Sequence, residues 1–196
     1  MLRNPVEFAY SSATVPPGDP RTRAYRWIAL AGVLLALALA CAGAADGQSR
    51  GPSTPEERDR ALRVAKDLRA DPLAPGLESD RQWLMRWLIE IPDISVGLCA
   101  GLMGDQGDAQ KSDYPGALLA VMLAGKATYA IENPKKAKDS KATYLAGVDA
   151  ALDAYQAIRG KDAAFQAKKM EEFLEARNEG KLADAVNLAA KANKCK

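Results

Sequence analysis

Residues 114–125 read YPGALLAVMLAG, twelve positions without a charge, and the helical pattern runs on through Lys126 to Ile131 until Asn133-Pro134 stops it. A helix apolar almost all round is a buried one, and twelve uncharged residues are too few to cross a bilayer. This stretch is therefore expected to be the central helix of an all-α domain. The neighbouring segments are read by how they could pack around it.

Upstream, TPEERDRALRVAKDLRAD opens at residue 54. Thr54 as N-cap, Pro55 at the first helical position and Glu57 three residues after the cap make a capping-box start. The stripe behind it, Ala61, Leu62, Ala65 and Leu68, is narrow, so this helix is expected at the periphery. DPLAPG then breaks the chain. Ser79 and Gln82 offer a second capping box ahead of Trp83, Leu84, Trp87, Leu88 and Ile91, an i, i+4 face that Pro92 ends. The tryptophan pair reads as core payload, and a ligand groove or sugar-stacking platform is the rival reading.

Asp93 is expected to cap a short helix over ISVGLCAGLMG, with a short strand at residues 94–99 as the alternative. Glycine inside a helix costs roughly 1 kcal/mol against alanine, so Gly97 and Gly101 suggest close backbone approach to a neighbour. The loop DQGDAQKSD follows. Its Asp105, Asp108 and Asp113 lack the D-x-D-x-D-G spacing and closing glutamate of a calcium loop, so it reads as a solvated connection.

Downstream, Lys135, Lys136, Lys138 and Lys141 form an exposed corner, read as solvated rather than as a patch for anionic lipid or an acidic partner. Tyr144, Leu145, Val148, Leu152, Tyr155 and Ile158 make a wide helical stripe with Gly160 as its expected C-cap. A segment with Phe165, Met170, Phe173 and Leu174 ends at Gly180, and a last one carries Leu182, Val186 and Ala189. This final pair resembles part of a tetratricopeptide repeat through Gly180, Leu182, Ala185 and Ala192, over one helix and a half. Lys169 and Glu172 stand where the repeat is apolar, and no second copy appears at its 34-residue period, so the pair reads as a generic helical hairpin. The sum is a compact bundle of about six antiparallel helices.

The first 45 residues read as an address. Arg21, Arg23 and Arg26 precede nineteen uncharged residues, 27–45, that end in small side chains. Basic flank, apolar run and small-residue end are the parts of a secretory signal, with cleavage expected after Ala44 or Ala45. An uncleaved anchor and a lipidated Cys41 are the alternatives. All three place the body beyond the cytoplasmic membrane, periplasmic or secreted. Residues 46–53, DGQSRGPS, read as a flexible tether, and 54–196 as a single helical domain.

The chain has 196 residues, a net charge of +2 and no histidine. Without imidazole, Ser-His-Asp and Cys-His nucleophilic systems and His-ligated zinc are unavailable. The first 45 residues carry all of the +2, and a neutral body argues against nucleic acid as partner. No phosphate-binding loop, dinucleotide fingerprint or nucleophile elbow is present, so neither cofactor nor catalytic residue is assigned. With Cys41 in the signal, Cys99 and Cys195 remain, an even pair suited to an oxidising compartment and expected to bridge. The resulting expectation is a non-enzymatic exported protein that binds another envelope or secreted protein. A carboxylate-dependent hydrolase using Glu90 and Asp93 beside Trp83 and Trp87 is the rival, and a membrane-tethered accessory subunit the third reading.

Overall fold

The computed structural model describes residues 50–104 and 114–195. The expected signal segment with Ala44, Ala45 and Cys41, residues 46–49 of the expected tether and the aspartate-bearing stretch 105–113 lie outside the described residues. Those described form six α-helices and no strand: α1 (Pro55–Ala70), α2 (Leu77–Glu90), α3 (Tyr114–Glu132), α4 (Ser140–Lys161), α5 (Lys168–Asn178) and α6 (Leu182–Ala192). Two 3-10 turns, Ala100–Leu102 and Pro134–Lys136, sit between them. The fold class is all-α, as the helical periodicity dictates. Among the described residues no helix is long and apolar enough to cross a membrane.

Helix α3 buries Leu118, Val121, Met122 and five alanines along its length, and it packs against α4, α1 and α2. It meets α4 most closely where Gly125 faces Gly147. A Cβ built on Gly125 would lie 2.7 Å from Ala150 Cβ and 3.2 Å from Gly147 Cα, so two bare backbones set the spacing of this pair.

Helix α1 begins with the expected capping box at Thr54 and Glu57. Its position is not the peripheral one expected: Leu68 is fully buried, and α1 packs on α2, α3 and α4. Ala61 and Ala65 make a weak hydrophobic signal in sequence, yet small side chains let helices approach closely, and Val64 rather than Leu62 completes the buried face.

Helix α2 starts at Leu77, after Gly76 at φ 90°. Ser79 therefore lies inside the first turn instead of capping it, and Gln82 donates to Glu78 rather than closing a box. The helix stops at Glu90 ahead of Pro92, with the Ile91 N–H still bonded to Trp87 O. Beyond it the expected short helix does not form. Residues 94–99 form neither helix nor strand, and helical geometry is confined to the 3-10 turn Ala100–Leu102. Gly101 does mark a close approach, since a Cβ there would land on the Asn193 side chain.

Helix α4 is capped by Asp139, which accepts from the Lys141 and Ala142 N–H groups, and it ends at Asp162 rather than at Gly160. The hairpin of α5 and α6 turns through Gly180 at φ 72°. Polar links tie this hairpin and α1 to α4. Arg69 donates to Asp153 at 2.6 Å and to Asp149 at 2.7 Å, while Arg177 reaches Asp153 from the other side at 2.7 Å. Burial works to raise the Asp153 pKa, but the hydrogen bonds from Arg177 and Arg69 outweigh it and hold the carboxyl below its ordinary value. Buried Tyr155 donates to Glu171, which also accepts from Arg159 at 2.5 Å.

Candidate functional site

The residues singled out in sequence cluster around the corner where α2 ends. Trp87 is buried in the core, and Trp83 stacks on it at 5.7 Å and 18°. The Arg60 guanidinium lies 4.0 Å from the Trp83 ring centroid, so α1 closes over the pair. Trp87 Nε1 is buried without a properly formed hydrogen bond among the described residues, although the indole lies near enough to Glu57 to favour its carboxylate. The Glu57 pKa is lowered chiefly by the Thr54 backbone N–H of the capping box.

Asp93 closes a contact across forty positions. Its Oδ1 accepts from the Ser53 N–H at 2.8 Å, and its Oδ2 accepts from the Ser53 hydroxyl at 2.7 Å and from Arg58 at 3.0 Å. Partial burial works to raise its pKa, and the two Ser53 hydrogen bonds bring it below the ordinary carboxylate value. Both oxygens thus hold the chain that enters α1, and neither serves as the expected cap of a following helix. Residues 50–53 of the expected tether are accordingly seated on the domain, with Ser53 buried. Glu90 is half-exposed and faces Arg50 at 3.4 Å. Each of the two carboxylates considered for acid-base chemistry is therefore matched to an arginine.

Cys99 is buried, and Cys195 lies against the same core with its Cα 5.5 Å from that of Cys99. The two are at disulfide distance across a sequence separation of 96.

A cleft of about 650 Å³ opens beside this corner, and Asp93 stands at its edge. Pro92, Ser95 and Gly97 form one side of it, the 3-10 turn with Lys135 and then Lys138 another, and Ser140, Thr143 and Tyr144 of α4 a third. Lys126 of α3 also lines it. Neither tryptophan nor Glu90 does. Lys126 is 2 % exposed, and burial lowers its pKa to about 8. Its ammonium donates to Gly97 O and lies 4.2 Å from the Tyr144 ring centroid. Among the described residues no carboxylate pairs with it.

Sequence reasoning passed over Lys126 because it continued an apolar helix. The signal was present, since Lys126 is the sole charge between residues 114 and 131. Among the described residues no group of three or more Cys, Asp or Glu side chains is placed to hold a metal ion. Comparison of the chain with protein-family models, curated proteins and solved structures finds no match.

Proposed function

We propose that this is an exported, non-enzymatic helical bundle, cross-linked between Cys99 and Cys195, that works by binding another envelope or secreted protein. The observation that carries the export reading is the Cys99–Cys195 pair at disulfide distance. A bridge of this kind persists in oxidising compartments and is rare in a reducing one, in agreement with the signal-like first 45 residues. Binding rather than catalysis is supported by the use of Asp93 and Glu90, whose charges are taken up by Ser53, Arg58 and Arg50. The general acid of such a pair needs a raised pKa, and that of Asp93 is lowered, so Asp93 is not suited to that role.

The test is expression of the full tagged chain in its own organism, followed by fractionation, intact mass under non-reducing conditions and cross-linking with identification of the attached chain. The expected result is a protein outside the cytoplasmic membrane, without free thiols at Cys99 and Cys195, cross-linked reproducibly to one exported protein. A cytoplasmic chain with both thiols free overturns the export reading. Hydrolysis of an envelope polymer by the purified protein, lost in Asp93→Asn, overturns the binding reading.

A further inference from the structure

The cleft over Lys126 has a chemistry that the fold alone does not require. Burying an ammonium without a carboxylate is costly, and a methionine would fill the same path along α4 without that cost. An ammonium has three N–H donors. Gly97 O takes one, and the Tyr144 ring face occupies a second direction, which leaves one donor for a ligand. Around it stand Lys135 and Lys138, both exposed, with hydroxyls from Ser95 and Ser140. Among the described residues the one carboxylate lining the cleft, Asp93, is already matched by Arg58 at 3.0 Å.

We propose that this cleft binds a phosphate-bearing small molecule, with the phosphoryl group held by Lys126 at the floor and by Lys135 and Lys138 at the rim. Lysines act on phosphate as point charges, whereas planar carboxylates are best gripped by an arginine fork, and among the described residues no arginine lines this cleft. About 650 Å³ is more than inorganic phosphate fills and lies within the range of small organic ligands. The inference is independent of where the protein resides.

A proton should accompany the ligand. Among the described residues, the charged groups that share the cleft with Lys126 are Asp93 from the segment after α2 and Lys135 and Lys138 from the turn after α3, while Tyr144 is the titratable group lining it from α4. With burial holding Lys126 near 8, a fraction of the molecules carry a neutral amine at pH 8, and an entering phosphate dianion favours the ammonium.

The test is calorimetric titration of the full chain at constant ionic strength with glycerol 3-phosphate, with inorganic phosphate and with phosphatidic acid vesicles. Glycerol 3-phosphate is expected to bind at one saturable site, more tightly than inorganic phosphate. At pH 8 its heat should differ between buffers of unlike ionisation enthalpy in the sense of proton uptake. Lys126→Met should weaken binding about tenfold or more and abolish the proton uptake. The exposed pair Lys135→Ala and Lys138→Ala, which leaves the core intact, should weaken binding without abolishing the uptake. Absence of saturable binding to the soluble phosphates, binding to vesicles alone, or binding that both variants leave unchanged overturns the proposal.

Discussion

Asp93 accepts two hydrogen bonds from Ser53, one from its N–H and one from its hydroxyl, and so fastens the start of α1 to the end of α2. Asp93→Ala strands a buried backbone donor and a buried hydroxyl, which costs about 1–3 kcal/mol. Urea unfolding should show that loss, and hydrogen exchange should rise first at residues 50–58. Glu90→Ala removes an exposed ion pair and should cost well under about 1 kcal/mol, so equal effects of the two variants would dismiss the latch. The folded pKa of Asp93 is depressed. The latch is therefore fully present above the ordinary value of 3.8 and is lost as pH falls through the lower folded value.

Cys99 and Cys195 define the second prediction. A bridge closing a separation of 96 constrains the unfolded chain, by roughly 4–5 kcal/mol in the chain-entropy model and about 2–4 kcal/mol in practice. Thiol reductant, or Cys195→Ser, should lower the unfolding free energy by about 2–4 kcal/mol. Exchange should rise earliest at the end of α6, where Asn193 packs on Gly101. Unchanged stability under reductant would contradict a structural bridge.

What the sequence made legible was local. The period of residues 114–131, the Thr54–Glu57 box and the Pro92 stop each act within a few residues, and each appears where expected. The pairing of Cys99 with Cys195 is expected once Cys41 is set apart in the signal-like segment, and the two lie at disulfide distance. What escaped notice depends on distant parts of the chain: Asp93 serves Ser53 forty residues away rather than its own next turn, and Lys126 meets Gly97 twenty-nine positions upstream. A capping pattern such as Ser79 to Gln82 carries no record of Gly76, whose left-handed backbone starts the helix three residues early. The cleft was illegible because its walls come from four separate segments.

The approach of Gly125 to Gly147 predicts opposite signs for two glycine substitutions in the same helix. A Cβ at Gly147 would lie 2.6 Å from Lys126 Cγ and 2.8 Å from Met122 O, and the second of these is backbone that cannot swing aside. Gly147→Ala should destabilise by about 1–3 kcal/mol through overpacking. Gly160, inside the same helix, has nothing within 4 Å of a built Cβ, so Gly160→Ala should stabilise by about 0.5–1 kcal/mol. Thermal unfolding of both reads the contrast, and two shifts of the same sign would reject the close-approach account.

Lys126 gives the last prediction, read in pH. Its pKa falls from 10.5 in the free side chain to about 8 in the folded protein because burial disfavours the ammonium. Between those values the unfolded chain holds a proton that the folded one has released, so this residue makes stability rise with pH across the window from about 8 to 10.5. Below about 8 both states are protonated and the cost of burying the charge is fully paid, on the order of 3 kcal/mol from a shift of this size. Lys126→Met removes the ammonium and keeps an unbranched chain beside Gly147. It should be more stable than the parent at pH 7, and the difference should shrink as pH approaches 10.5. Taking the difference between the two proteins cancels Tyr114 and Tyr155, whose raised pKa values act on both alike. A difference that stays flat from pH 7 to 10.5 would mean that Lys126 keeps its proton through a partner, and the cleft would then hold a paired cation with no donor left for an anion.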